Sequence, residues 1–335
     1  MSQREEILRL LSGRKISNQP AFSGLIHVTT EGLQSEGLVF QEVHKDAPKM
    51  AKAAASTFKL SSLPSAVAPL DMVVEAEALG ARIDFRGGSG GFLFPQVAAS
   101  LFTSTKYLNK EYFEGKDFIN KGRIPLVCEA IQKLKAEIGQ EAVIGGMIPG
   151  PYTLLLFLIE PGGLFAEMKR EPRRVADALF ELASFLAEVG AAYRAADADF
   201  ITVHDMGGSP GFIGPAKYEQ FAYPAEKLLM AELPAPRVLS VCGNTNKSMH
   251  LLAGTGADAI SVDQLNDLAE SRKVLTDTLL FGNVDPVGTL WQGGPTEIAE
   301  AVRGAQEAGV DAIWPGCDLV PQTSVENLKS FSKTS

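Results

Sequence analysis

From about residue 140 onward, short apolar runs alternate with amphipathic stretches at a period of roughly 35–40 residues, the rhythm that repeated βα units produce. The apolar runs fall at 142–147, 200–204, 237–241, 259–262, 279–282 and 312–314. Between and after them lie helical patterns, at 171–196, 246–254, 268–275, 297–308 and 324–332. In the first of these, Val175, Leu179, Leu182, Leu186 and Val189 recur every three or four positions and mark a buried face. Continuous apolar strands joined by helices predict a parallel sheet, and the regularity predicts one (β/α)8 barrel over 1–335, with an N-terminal extension and insertions. The segment from 20 to 125 is less regular, Gly-rich at 87–91, and is read as early barrel strands plus insertions. A doubly wound open sheet is the competing architecture, but no Gly-rich dinucleotide turn opens a strand-to-helix junction.

Several functional classes are excluded at this level. The formal charge is −9 and the basic residues are scattered, so no stripe for a phosphate backbone is expected and nucleic acid is not a partner. Residues 1–15, with REEILRLL, predict a charged amphipathic helix and not a signal peptide, which implies a cytoplasmic protein. The longest apolar stretch, 143–159, is broken by Gly145, Gly146, Pro149, Gly150 and Pro151, so it predicts a strand, a turn and a helix start rather than a membrane span. Cys128, Cys242 and Cys317 are an odd number of thiols, expected to stay reduced and available for metal or catalysis.

In a barrel, reactive groups lie where strands end at the C-terminal face. Four strand ends carry such groups: His204 and Asp205 after FITV, Ser240 and Cys242 in VLSVCG, Asp263 after AISV, and Cys317 after AIWPG. Two cysteines beside glycines, Cys242-Gly243 and Gly316-Cys317, are either thiolates aimed at one zinc ion or small buried hydrophobes. His204 is a ligand, an acid or base, or a core histidine; with Asp205 it forms the candidate catalytic pair. Cys128 is expected to pack at a helix start, and His27, His44 and His250 to serve the core or surface. The turns at 207–211 and 282–286 are expected to be structural.

With these residues in place, the chain resembles the uroporphyrinogen decarboxylase superfamily, in its corrinoid-dependent methyltransferase branch. The resemblance is carried by EALGARIDF at 77–85, GPYTL at 150–154, LSVCGNT at 239–245, FGNVDPVGTLWQG at 281–293 and PGCDLVPQTSVENLK at 315–329. It implies a zinc site built from a His-x-Cys at one strand end and a later Cys within Pro-Gly-Cys. Cys242 and Cys317 fall on the two cysteine positions, while Ser240 occupies the histidine position. Asp263 matches a region that supplies a carboxylate ligand, and His204 is the other residue able to fill the vacancy. Glu77, Ser240 and Asn244, within matched motifs, are the expected substrate contacts.

The implied reaction moves a methyl group between a methylcobalamin-type corrinoid on a partner protein and a small thiol or related donor or acceptor, with zinc activating the sulfur. Two readings compete with it. A tetrapyrrole decarboxylase would need an arginine-rich Arg-Gln-Ala-Gly-Arg segment, which PAFSGLIHVTT at 20–30 and the following residues lack. A non-catalytic corrinoid-binding relative could have lost its ligands through Ser240.

Overall fold

The apolar runs become the strands of one parallel sheet. The computed structural model describes residues 1–87 and 91–333. Its strands are β1 (Ser65–Ala68), β2 (Ile83–Asp84), β3 (Gln96–Val97), β4 (Val143–Pro149), β5 (Phe200–Asp205), β6 (Arg237–Val241), β7 (Ala259–Val262), β8 (Leu279–Val284) and β9 (Ala312–Pro315). Seven of them form the main sheet in the order β1-β4-β5-β6-β7-β8-β9, and every neighbouring pair is parallel. Sequential order without reversal is what right-handed βαβ crossovers produce, because each helix returns the chain beside the strand it has just left. The six strand positions expected from residue 142 onward all match within two or three residues.

The region from 20 to 125 is where expectation and structure differ most. It contributes one strand, β1, to the main sheet, and β2 and β3 form a separate antiparallel pair. Of the Gly-rich stretch 87–91, residues 88–90 lie outside the described residues. Residues 20–27 run between the two edges of the sheet. Ala21 makes a parallel bridge to Ile313 of β9, the Phe22 N–H donates to the Ile313 carbonyl at 3.2 Å, and the Ile313 N–H to the Pro20 carbonyl at 3.0 Å. On the other edge, the Ser23 N–H donates to Ser65 Oγ at 2.9 Å. Pro20 has no N–H to offer a ladder, which helps keep this pairing down to a single bridge.

The outer face of the sheet is covered by helices, of which Pro172–Ala195 is the longest; it buries Val175, Leu179, Leu182, Leu186 and Val189 as the spacing predicts. The expected helix at 246–254 is a 3-10 turn, Asn246–Ser248, followed by a short helix, Met249–Ala253. The helix Gln3–Leu11 is opened by Ser2, which accepts the Glu5 N–H while the Glu5 carboxylate takes the Ser2 N–H. Its Ile7, Leu10 and Leu11 cluster with Phe22, Phe200, Phe281 and Trp314 on the inner side of the sheet. Val143, Phe200, Val238, Ala259 and Ala312, first residues or near-first residues of their strands, belong to the same cluster, so this plug seals the N-terminal end. The C-terminal end is left for chemistry. Among the described residues, no helix is long and apolar enough to cross a membrane.

Candidate metal centre

Side chains alternate between the faces of a strand. Phe200 belongs to the inner plug, so Thr202 and His204 share its face of β5 while Asp205 turns outward. The contacts agree: Asp205 accepts hydrogen bonds from Thr153 Oγ at 2.5 Å, on the covering helix Pro151–Leu158, and from the Gly208 N–H at 2.8 Å. His204 is the register partner of Ser240 on β6, and Cys242 lies two residues beyond Ser240, just past the strand end. Cys317 follows β9 by two residues. A Cβ on Gly316 would stand 2.6 Å from the Gln264 backbone nitrogen, so glycine is required for the exit of β9 to pass that close to the loop after β7.

These turns bring three soft or borderline donors together. Cys242 Sγ lies 3.4 Å from Cys317 Sγ and 3.9 Å from His204 Nε2, and all three atoms fall within 4.8 Å of one another. Corners of a tetrahedral zinc site with bonds of about 2.0–2.3 Å stand roughly 3.3–3.8 Å apart, so the set needs only a small contraction to hold an ion. Among the described residues no other cluster of His, Cys, Asp and Glu offers three donors in this way. The donor chemistry also fits, since thiolate and imidazole are the ligands zinc prefers.

The electrostatics run the same way. The two thiols share one proton: their mutual hydrogen bond and His204 hold Cys317 below the usual thiol range, while that bond and burial push Cys242 well above it. Burial works against a charge on His204, but the bond to the Cys317 sulfur and the nearby Asp318, Cys317 and Asp205 outweigh it and raise the imidazole to about 9. Both shifts favour a proton on His204 and a negative charge on Cys317, an arrangement in which a divalent cation can replace protons.

The other expected site residues lie elsewhere. Asp263 does not join the cluster; its two oxygens accept the Gly243 N–H at 3.0 Å and the Leu265 N–H at 2.9 Å, tying together the loops after β6 and β7. Ser240 is buried one layer below Cys242. Asn244 sits at the exposed rim and donates to the Leu265 carbonyl at 3.1 Å. Glu77 is not among the three converging donors and accepts from Arg123 Nε at 2.6 Å, while the same guanidinium grips both oxygens of Asp71. Cys128 is half-buried in the helix Ile124–Ile138 with its thiol pushed up to about 11 by burial, which suits packing.

One residue passed over in the sequence is Asp318. Its Oδ1 accepts the Ile26 N–H at 2.8 Å, fixing the loop that carries Cys317 to the segment that bridges the sheet edges. Burial raises its carboxyl to about 6, the neighbouring Cys317 adding to the shift and His204 opposing it. The acid directly following the cysteine of Pro-Gly-Cys was the available signal.

Comparison with known proteins gives the family. The family model described as uroporphyrinogen decarboxylase (URO-D) matches residues 2–335. The chain is 30% identical over 338 residues to the methylcobamide:CoM methyltransferase MtbA of Methanosarcina acetivorans, covering 98% of this chain and 96% of that protein. It is also 30% identical to MtaA, a methylcobamide:CoM methyltransferase of Methanosarcina barkeri, over 97% of this chain and 95% of that one. A solved methyltransferase from Methanosarcina mazei superposes with a TM-score of 0.92 at 25% identity, covering 100% of this chain and 98% of that one. The chain belongs to the uroporphyrinogen decarboxylase family.

Proposed function

We propose that this protein is a methyltransferase that moves a methyl group between a corrinoid carried by a partner protein and a small thiol, at a zinc ion held by His204, Cys242 and Cys317. The observation that carries the reading is the convergence of these three donors at the C-terminal mouth of the sheet. Full-length similarity to relatives named as methylcobamide:CoM methyltransferases supports it.

A zinc ion there supplies Lewis acidity that keeps a substrate thiol ionised at neutral pH. His204, Cys242 and Cys317 would hold the ion, and the thiol would reach it from the open mouth. Asp263 holds the Cys242 loop in place through the Gly243 N–H, and Asp318 does the same for the Cys317 loop through Ile26. The corrinoid would supply the methyl group without the Co–C electron pair, which would remain with cobalt, and a lone pair of the thiol sulfur would form the new S–C bond. We also take residues 20–23 as the eighth stave that completes the barrel, since they bond to both β9 and β1. Exposed Met206, Phe212, Leu265, Val287 and Trp291 follow β5, β7 and β8, and give the mouth an apolar rim suited to a corrinoid domain.

Incubation of the zinc-loaded protein with methylcobalamin and a thiol tests the reading. The expected result is loss of the methylcobalamin absorbance with an equal yield of methyl thioether, abolished by Cys317→Ser. Retention of full transfer by that variant, or no transfer to any thiol, would overturn it.

A further inference from the structure

A cavity of about 530 Å3 opens beside the metal cluster, and its chemistry differs from what the names of the relatives suggest. Its walls include Ile26, Met72, Phe94, Phe157 and Met206, and it is closed on one side by Asp318. Two of these residues adjoin the cluster: Met206 lies two residues after His204, and Asp318, which follows Cys317 directly, is close enough to His204 to act on its imidazole.

Charge decides what such a cavity accepts. Asp318 is the one charged residue among the described residues that line it; no lysine or arginine does. Its Oδ1 is committed to the Ile26 N–H, and its Oδ2 accepts no hydrogen bond among the described residues. An anionic headgroup placed here would lose its hydration, meet no lysine or arginine on the cavity wall and face a carboxylate, all of which oppose binding. An uncharged body would instead bury its surface against aromatic rings and polarizable thioethers.

We propose that this cavity seats the body of the methyl-accepting thiol, and that this thiol is uncharged and apolar rather than anionic. The assignment rests on the methyl-transfer reading above and narrows it. In the transfer, the thiol gives its proton to solvent, its sulfur forms the S–C bond, and the Co–C pair remains on cobalt. The product is an apolar methyl thioether.

Two measurements separate this assignment from the reading beneath it. The first is calorimetric binding of benzyl methyl sulfide and of 2-(methylthio)ethanesulfonate to the metal-free protein. Benzyl methyl sulfide is expected to bind at least tenfold more tightly, and Asp318→Asn to improve sulfonate binding. Ser100→Lys, at an exposed position on the cavity wall, adds a cation without disturbing the core and should improve sulfonate binding as well. Sulfonate binding equal to or tighter than that of the benzyl compound in the unaltered protein overturns the proposal. The second measurement compares kcat/KM for benzyl mercaptan and 2-mercaptoethanesulfonate, the compound abbreviated CoM, with methylcobalamin and the zinc-loaded protein. Equal transfer to both thiols overturns the proposal and keeps the methyl-transfer reading. No transfer to either, with the binding preference intact, overturns that reading and leaves the cavity's selectivity standing.

Discussion

His204 of β5 and Ser240 of β6 are register partners, so their side chains stand next to each other on the inner face of the sheet. The imidazole that the family resemblance places at 240 is thus present one strand over, within 3.9 Å of Cys242 Sγ. If the site needs one imidazole and not a particular position, the two are exchangeable. His204→Ala should lower zinc affinity by at least about tenfold, the lower end seen even for residues that only support a ligand. His204→Ala combined with Ser240→His should restore roughly one zinc per chain after dialysis. Elemental analysis checks both, and full zinc retention by His204→Ala alone would remove the histidine from the ligand set.

Zinc removal should also be visible in stability. An ion that binds the folded state at a hundred times its Kd adds about 2.7 kcal/mol, so a chelator should lower the Tm of the zinc-loaded protein. Cys317→Ala should melt at the same temperature with and without chelator. A chelator effect that persists in this variant would place the stabilising ion somewhere else.

For Asp263 the geometry separates two roles that look alike in sequence. Its carboxylate oxygens are taken by two backbone N–H groups, so Asp263→Ala should leave the zinc content unchanged. The two unsatisfied donors should cost about 1–3 kcal/mol in urea unfolding. Loss of zinc at unchanged stability would show instead that Asp263 is a ligand.

What could be read in the sequence follows from which interactions are local. Strands buried on both faces are continuous apolar runs, so β4 to β9 were legible, and with them the strand ends that carry His204, Cys242 and Cys317. Pro20 to His27 has no such run, because its pairing is one bridge and a few hydrogen bonds to partners far along the chain. Asp263 could not be assigned, since a carboxylate after a strand serves a loop backbone or a metal with the same residue pattern. Asp318 was missed because its partner, Ile26, is almost a whole chain away.

Gly24 tests how tightly the inner face is filled. A Cβ there would stand 2.7 Å from Phe200 Cε2 and closer still to Thr202 Oγ and the Trp314 ring. Those rings belong to the packed plug and have little room to move. Gly24→Ala should therefore destabilise by about 1–3 kcal/mol, read as a lowered midpoint in urea. An unchanged midpoint would mean the plug is loose.

The buried Glu75 predicts a pH dependence. Burial raises its carboxyl to about 8, with the charge of Asp71 contributing, and Tyr193 donates a hydrogen bond to its Oε1 at 3.2 Å. A carboxyl raised in the folded state is stabilising below its unfolded pKa, near 4.3, and loses that contribution as pH rises toward 8. The decline is at most about 1.4 kcal/mol per pH unit. Glu75→Gln stays neutral, so its stability relative to the unaltered protein should grow steadily between pH 5 and pH 8. Parallel unfolding curves at each pH would show that Glu75 is not held neutral.

The bridge from Phe22 to Ile313 sets the order in which the molecule can be completed. During synthesis, the segment that joins the sheet's edges emerges early and must wait, unpaired, until β9 has left the ribosome. Until then both edges expose free peptide groups and the inner plug has no Trp314 to pack against. Cys317, four residues beyond Ile313, arrives at the same moment. The Phe22–Ile313 bond and the meeting of the three donors thus depend on the same last stretch of chain, and His204 and Cys242 gain Cys317 only when that stretch has joined the sheet.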